Sequence, residues 1–362
     1  MNISRKSNPI LLSFIVPAYN AETFVHSSLK SIVNQKTNNI EIIFIDDGST
    51  DNTYMKATEI LSCLSEDKYS VVRTKNNGVA SARNTGIDIA RGEYIYFLDS
   101  DDYIADDFIE QIMPLIKEYS YDVVCWGYDM VNDDKDKAVL YTDCHKLQEM
   151  EKSGIGFLKD IIINRSISLS TINTLVRRAL IERTGLRFYD GCSCGEDIEF
   201  IYKLLLDSES VFMLGKVISF YTIRENSMTN SYNPRRFEFI GAFLRTSAFF
   251  KSSNINDALV FADILKNEYL LYHYLIHLRG IVKHSTQFKP RKIMEDVSLF
   301  YPDIHGRIKA IIRKGCKYYK SFFVQAIIYA ISPVLYIRSY KIYLKLQTIS
   351  RGVWRNLNVR KK

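Results

Sequence analysis

The strongest constraint on this chain is an alternation of two apolar periods through its first 130 residues. Leu11–Val16 is a short continuous apolar run, and Val25, Leu29, Ile32 and Val33 then recur at helical spacing. Further runs occupy Ile40–Ile45, Tyr69–Arg73, Tyr94–Leu98 and Asp122–Tyr128. Between them, helices are expected from Ser49 or Thr50 through Leu64 with Asp51 in the first turn, from Val79 to Ala90 closed by Gly92, and from Asp107 to Tyr119. Continuous apolar strands joined by helices predict an α/β fold with a mostly parallel central sheet covered on both faces. Ligands of such sheets bind beyond the carboxyl ends of the strands. Tyr19-Asn20, Asp46-Asp47, Asn76-Asn77 and Asp99-Ser100-Asp101 all fall there, so four separate segments are expected to meet at one rim.

After Asp129 the pattern changes. Asp129–Lys152 reads as polar and loop-like, helices are expected near 155–163 and 196–206, a strand over 216–222, and mostly helix over 235–290. Soft boundaries near 125, 230 and 305 divide the chain into 1–125, 126–230, a helical extension over 231–305 and a tail over 306–362. With 362 residues, the chain can bury two cores without staples, and 16 Gly with 7 Pro exclude collagen-like or Pro/Gly-rich disorder. The six cysteines, at 63, 125, 144, 192, 194 and 316, form neither a disulfide framework nor a zinc-site spacing, so Cys192-Ser-Cys194 reads as ordinary loop thiols. The apolar patch Ile10–Val16 follows Arg5 and Lys6. It is interrupted by Ser13 and closed by Pro17, which suits a first buried strand better than a secretory signal.

The net charge of +7 conceals a division. Residues 306–362 carry 14 Lys and Arg and no acid, leaving 34 basic against 41 acidic side chains in the first 305. An acidic body with a basic tail is expected to meet polyanions through that tail. Ser321–Ile337 is uncharged for 17 residues, at the lower limit of about 17–25 for a membrane span, and Gln325, Ser332 and Pro333 weaken a span. Arg313, Lys314, Lys317 and Lys320 precede it, Arg338, Lys341 and Lys345 follow, and Leu335, Ile342, Leu346, Ile349 and Val353 share a helical stripe. The expectation is peripheral association with an anionic membrane surface, with cations reaching to the headgroups. No stacking motif or recognition module supports a nucleic-acid partner.

Asp99-Ser100-Asp101-Asp102 places three carboxylates in four positions directly after a strand. Hard oxygens of this kind suit Mg²⁺ or Mn²⁺, which typically use one or two carboxylates plus substrate phosphates. An acidic turn capping the next helix is the plainer reading, and Asp46-Asp47 at a neighbouring strand end favours the functional one. Acids at that position can accept hydrogen bonds from a base edge or a ribose. The Gly-rich fingerprints of dinucleotide and NTP phosphate loops are missing, as is a Gly-x-Ser-x-Gly elbow. His273 and His277 lie four apart without the metalloprotease glutamate, so a helix surface or core role is expected for them.

Together, Phe14-Ile-Val-Pro-Ala-Tyr-Asn20, Ile45-Asp-Asp-Gly-Ser-Thr-Asp-Asn-Thr53, Asn77-Gly-Val-Ala-Ser-Ala-Arg-Asn-Thr-Gly86 and Gly92-Glu-Tyr-Ile-Tyr-Phe-Leu-Asp-Ser-Asp-Asp102 resemble family 2 glycosyltransferases in order and spacing. The resemblance is strong over residues 10–125 and weaker to about 230. It implies the nucleotide-sugar-binding GT-A fold and an inverting transfer. Carried over position by position, it puts Pro17, Tyr19 and Glu22 around the base of a UDP-sugar, Asp47 on the uracil or ribose with Asp46 beside it, and Arg83 facing the donor. Asp99, Ser100 and Asp101 form the Asp-x-Asp element, with Asp101 as metal ligand and Asp99 nearer the ribose and sugar, around Mn²⁺ or Mg²⁺.

Glu196-Asp197 opens a helical run, and similar pairs in the family carry the general base, which implies that role for Asp197. On residue type alone, a helix N-terminus also favours two acids. Tyr221–Thr229 resembles the segment that closes such domains, with Arg224 as a clamp on diphosphate. The Gln-x-x-Arg-Trp element of processive synthases is missing, so one sugar per encounter is expected. The implied acceptor is a polyprenyl-diphosphate-linked saccharide in bacterial surface-polysaccharide assembly, at the inner face of the cell membrane. The competing readings are a metal-dependent nucleotidyltransferase, which would want a basic Gly-rich loop where Pro17–Glu22 stands, and a non-catalytic membrane-docked scaffold.

Overall fold

The computed structural model describes residues 9–132, 136–224, 231–285, 287–315, 317 and 323–359. Arg5, Lys6, Glu225–Thr229, Cys316 and Lys320–Phe322 lie outside the described residues, as do the side chains of Ile349 and Val353. The chain forms two compact units, Met1–Arg224 with Arg245–Ala262, and Glu225–Leu244 with Asp263–Lys362.

The first unit is built on one ten-stranded mixed sheet. In chain order its elements are β1 (Leu12–Ala18), α1 (Val25–Val33), β2 (Ile40–Asp46), α2 (Thr53–Leu61), β3 (Tyr69–Arg73), α3 (Val79–Ile89), β4 (Tyr94–Phe97), β5 (Tyr103–Ile104) and α4 (Phe108–Glu118). There follow β6 (Val123–Val131), β7 (Lys137–Val139), α5 (Tyr141–Cys144), β8 (Met150–Lys152), α6 (Gly154–Lys159), β9 (Thr174–Arg177), α7 (Arg178–Thr184), α8 (Glu196–Leu206) and β10 (Val211–Thr222). The strand order is β3-β2-β1-β4-β9-β6-β10-β5, with β7 on β6 and β8 on β10. Strands β3, β2, β1 and β4 run parallel, with Ala18 beside Asp46, Asp46 beside Arg73 and Ile15 beside Phe97. The chain therefore leaves β1 on one side for β2 and reaches β4 on the other, so the order reverses at β1 and a crevice opens at its carboxyl end.

Continuous burial explains the apolar strands: every residue of β1, β2 and β4 is buried. Against one face pack Val25, Leu29 and Ile32 of α1 and Phe108, Ile109 and Ile112 of α4. There Phe14, Tyr96, Phe108 and Trp126 form an aromatic knot with ring centroids 5.2–5.9 Å apart. Each polar tip within this core is satisfied, as burial requires. Tyr96 donates to the Ile172 carbonyl at 2.7 Å, and Trp126 Nε1 donates to Ser219 Oγ at 2.9 Å. Between β1 and β2, Ser13 Oγ donates to buried Glu41 at 2.6 Å, and Arg91 Nε donates to the other Glu41 oxygen at 2.7 Å.

The structure corrects several local expectations. The helix predicted from Ser49 or Thr50 begins only at Thr53, because Ser49 and Thr50 are engaged with Asn20 and it is Asp51 whose carboxylate accepts from Thr53 N at 3.0 Å. Asp129–Lys152 holds two short strands and a helical turn, and β6 and β10 each run longer than predicted. The sheet is interrupted by β9, antiparallel to both β4 and β6. This four-residue strand is too short to show a period.

The second unit is helical. It includes α11 (Leu270–Lys283), α12 (Pro290–Phe300), α13 (Ile304–Lys314), α14 (Phe323–Ile331) and α15 (Pro333–Val359), preceded in the chain by α9 (Phe239–Ser252) and α10 (Asn256–Ile264), which run across the boundary between the units. Tyr274 and Tyr329 share a buried hydrogen bond of 2.7 Å, and Arg279 Nε donates to Tyr336 at 3.0 Å. His273 and His277 are half-buried among aromatic rings, and desolvation holds both below the usual histidine range; Arg236 donates to His277 Nδ1 at 3.0 Å. Both histidines therefore pack against the core. Among the described residues no helix is long and apolar enough to cross a membrane, and the uncharged stretch breaks between Ile331 and Pro333.

Gly154 lets α6 lie against the end of α8, since a Cβ there would sit 1.8 Å from the backbone oxygen of Leu205. Backbone cannot swing aside as a side chain can. Gly154→Ala is expected to cost at least about 1–3 kcal/mol of stability, seen as a lower urea midpoint. Gly306→Ala, which meets nothing within 4 Å, serves as the neutral or mildly stabilising control.

Candidate functional site

The rim predicted from the strand ends is held together by loops that bond one another more than themselves. Asn20, with φ at +48°, turns the chain out of β1. Its amide donates to Ser49 Oγ at 3.0 Å, while its side-chain oxygen accepts from Thr50 N at 2.9 Å. Ala21 N donates to Thr53 Oγ1 at 2.7 Å, and the Glu22 carboxylate accepts from Asn52 N and Nδ2, both at 3.0 Å. Left-handed backbone at a non-glycine residue is tolerable where an Asn or Asp side chain bonds locally, and here the bond goes across to the next loop. Pro17 is buried within β1, whereas the Tyr19 side chain stands half exposed at the rim.

Asp46 and Asp47 are both buried and take different partners. Asp46 pairs with Arg73 Nε at 3.1 Å and accepts from Ser49 N. Asp47 Oδ1 accepts from Asn77 N at 3.0 Å and Thr74 Oγ1 at 3.3 Å, and its Oδ2 accepts from Gly78 N at 2.8 Å. Gly78 has φ at +91°, so a side chain at this turn would be strained. Asp47 thus fixes the shape of the 76–78 wall.

Across the crevice, Asp99 follows β4 with its side chain 38% exposed. Arg83 on α3 is buried and donates to Asp99 Oδ1 at 2.7 Å and to Glu196 Oε1 at 2.8 Å, with its guanidinium over the Phe188 ring. The family resemblance implies that Arg83 faces the donor; its guanidinium is buried here as a bridge between the loop after β4 and the first turn of α8. Burial alone would make that guanidinium easier to deprotonate, but Asp99, Glu196 and Asp197 outweigh it and hold it firmly charged. Ser100 is buried, Asp101 pairs with Arg224, and Asp102 accepts from Thr222 N at 2.9 Å. Arg224 also lies over the Phe24 ring at 4.5 Å.

The electrostatics of this cluster are lopsided. Asp99, Asp101, Asp102, Glu196 and Asp197 are gathered around Arg83 and Arg224. Burial, then the charges of Asp101 and Asp99, push Asp102 well above the usual carboxylate range. Burial raises Asp101 against the pull of Arg224. Glu196 is pushed up to about 7 by burial and by Asp197, against Arg83, and burial raises Asp197 against the same cation. A rim with more carboxyls than guanidiniums is ready for further positive charge. Among the described residues no three or more His, Cys, Asp or Glu side chains make a complete metal cage. Asp99 and Asp101 instead offer the one or two hard oxygens that Mg²⁺ or Mn²⁺ takes when substrate phosphates complete the shell. The residues present fit such an ion.

The first turn of α8 has a second anchor that the sequence did not reveal. Glu199, buried, receives Arg245 Nε at 3.0 Å, Arg245 Nη2 at 2.7 Å and Lys203 Nζ at 2.6 Å. Arg245 lies 46 residues away in the chain, so no local spacing announces the pair. Cys192 is a buried thiol pushed up by burial, donating to the Cys194 carbonyl at 3.4 Å, which agrees with ordinary loop thiols.

Comparison with known proteins matches this architecture. Residues 13–183 match the family described as Glycosyl transferase family 2. GlyA of Streptococcus pneumoniae, named a glycosyltransferase, is 30% identical over 230 residues, which is 62% of this chain but only 32% of GlyA. EpsH of Bacillus subtilis is 31% identical over 67% of this chain and 70% of its own length. An Escherichia coli protein named UDP-Glc:alpha-D-GlcNAc-diphosphoundecaprenol beta-1,3-glucosyltransferase WfaP is 25% identical over 78% of this chain and 98% of its own. The crystal structure of S. aureus TarS 1-349 in complex with UDP-GlcNAc superposes with a TM-score of 0.66, at 20% identity, covering 93% of this chain and 92% of that one, which shows the fold. With the motifs, the sheet order and the relatives in agreement, the chain belongs to the family 2 glycosyltransferases and carries their GT-A fold.

Proposed function

We propose that this enzyme transfers a single sugar, with inversion, from a UDP-sugar to a polyprenyl-diphosphate-linked saccharide in bacterial surface-polysaccharide assembly, working at the cytoplasmic, inner face of the cell membrane. One observation carries the reading: Arg83 joins Asp99, on the donor side of the crevice, to Glu196, beside the candidate base Asp197. The names of WfaP, with its lipid-linked acceptor, and of the TarS complex, with its UDP-sugar, support the choice of substrates.

In this reading Pro17, Tyr19 and Glu22 surround the nucleotide base, and Asp46 and Asp47 form the nucleoside wall. Asp101 and Asp99 hold the divalent ion on which family 2 enzymes generally depend, Mn²⁺ or Mg²⁺, with Ser100 between them. When bound, that ion supplies positive charge against the departing diphosphate. Arg224, beside Asp101, lies within the same cluster and reaches toward the diphosphate as a bidentate donor. Asp197 removes the acceptor hydroxyl proton as the oxygen attacks the anomeric carbon from the face opposite the leaving group. Arg83 keeps Glu196 and Asp99 in place while its charge favours the ionised base.

Removing the base separates chemistry from binding. Asp197→Asn is expected to lower kcat by about 10²–10⁴-fold while leaving UDP affinity, measured calorimetrically, near the parent value. Asp101→Asn is expected to abolish transfer and to weaken metal-dependent UDP binding. Chelation by EDTA should stop transfer, with Mn²⁺ or Mg²⁺ restoring it. Near-normal turnover in Asp197→Asn would refute the base assignment.

The pH profile gives a second check. A base must be unprotonated to act, and burial raises Asp197 while Arg83 lowers it, with Asp99 opposing Arg83. The acid limb of kcat is therefore expected above the ordinary aspartate range. Arg83→Gln, which removes the lowering charge, is expected to move that limb to higher pH; a limb that stays put or moves down contradicts the coupling.

A further inference from the structure

Helices that lie on the surface of a soluble unit normally turn a polar face outward. Helix α14 does not: Phe323–Ile331 contains no charged residue. Its inner positions are accounted for, since Ala326 and Tyr329 are fully buried and Tyr329 bonds Tyr274. The outward positions Val324, Ile327 and Ile331, at i, i+3 and i+7, are 67%, 40% and 72% exposed. The next helix repeats the pattern. Tyr336 and Ile337 of α15 face inward, while Leu335, Ile342 and Leu346, at i, i+7 and i+11, are 48%, 59% and 60% exposed. Helical geometry places Arg338 and Lys345, both exposed, along one flank of that second stripe, and Ser339 with Tyr343 along the other.

Isolated exposed apolar side chains need no explanation, but two consecutive helices with apolar outer stripes do. The charge around them says what covers them. No Asp or Glu occurs from residue 306 to the end of the chain, against 14 Lys and Arg. Some α15 cations serve the fold: Lys341 Nζ donates to the Ser285 carbonyl at 3.1 Å and to that of Phe288. Arg338 and Lys345 stand exposed instead. A second copy of the chain would bring the same positive charge to the contact, whereas an anionic lipid surface accepts both the apolar stripe and its cationic flank.

We infer that the outer stripes of α14 and α15, Val324, Ile327, Ile331, Leu335, Ile342 and Leu346, insert into the headgroup boundary of an anionic bilayer, with Arg338 and Lys345 on its phosphates. The inference rests on the membrane-facing role proposed above and names the face that performs it. No spanning segment is involved: the apolar run is broken at Pro333, and each helix lies along the surface.

Co-flotation of the purified full chain with vesicles of phosphatidylcholine, with and without phosphatidylglycerol, tests it. Binding is expected to require phosphatidylglycerol and to weaken as salt rises. Ile327→Glu with Ile331→Glu, both at solvent-exposed positions, is expected to weaken it at least about tenfold, and Arg338→Glu with Lys345→Glu to do the same while flattening the salt dependence. Circular dichroism confirms that the variants stay folded. Parent-like binding by both folded double variants overturns the inference, as does a parent dimer in sedimentation that Ile327→Glu/Ile331→Glu dissociates, since a second copy would then cover the face. Transfer to a water-soluble acceptor saccharide is measured alongside. Retained transfer without vesicle binding removes the docking surface and leaves the enzyme, and vesicle binding without transfer does the reverse.

Discussion

The buried guanidinium of Arg83 is the interaction that ties the two sides of the candidate site together. It reaches from α3 to Asp99 at the end of β4 and to Glu196 at the start of α8, segments more than 90 residues apart in sequence. Neither carboxylate pairs so closely with another cation among the described residues. A buried ion pair is poor evidence for stability, because desolvation consumes most of the attraction, yet breaking one strands a charge. Its plausible return is geometric. With three charged groups held within hydrogen-bond distance, the loop after β4 and the first turn of α8 cannot drift apart without exposing an unpaired buried charge.

The opposite wall of the crevice uses side-chain bonds to backbone amides for the same purpose. Asn20, Ser49, Thr50, Thr53 and Glu22 interlock the loops after β1 and β2, and Asp47 ties the latter to the turn before α3. Three loops become one surface, because their backbone donors are satisfied by side chains of a neighbour. The two walls thus differ in kind: side chains bonded to the backbone amides of neighbouring loops on one, crowded carboxyls around two guanidiniums on the other. In the proposed reaction that division would match a polar neutral base and sugar on one side and a departing diphosphate on the other.

Much of this was legible in the residues. Apolar runs with polar clusters at their ends located β1, β2, β4 and the rim, because a strand buried on both faces admits few polar side chains before it reaches the crevice, and those it admits, Ser13 and Glu41, bond each other. Glu196-Asp197 was legible as the start of a helix. Partnership was not. Arg83 sits in a helix of small residues, where nothing in the spacing tells whether it faces a ligand or two acids, and Arg245 meets Glu199 from 46 residues away. The four-residue β9 was missed for the complementary reason: its strand character comes from β4 and β6 on either side, not from its own sequence. Local pattern fixes which residues are buried; the fold alone fixes which charges meet.

The charge division along the chain has a consequence for the proposed reaction. Donor diphosphate, lipid diphosphate and anionic headgroups are all negative, and residues 1–305 carry more acid than base. Such a body repels every partner it needs, and its acid-rich rim sharpens the repulsion where they must bind. Two sources of positive charge oppose it at different ranges. In the proposed reaction, a divalent ion held by Asp99 and Asp101 would act at contact distance, supplying positive charge against the departing diphosphate. The basic tail acts over roughly a Debye length, about 8–10 Å in physiological salt, and so works only on a surface the chain already touches. Under the proposal, the crevice carboxyls stay available for metal binding and proton removal, because attraction to an anionic surface falls to a segment, residues 306–362, that contains no acid.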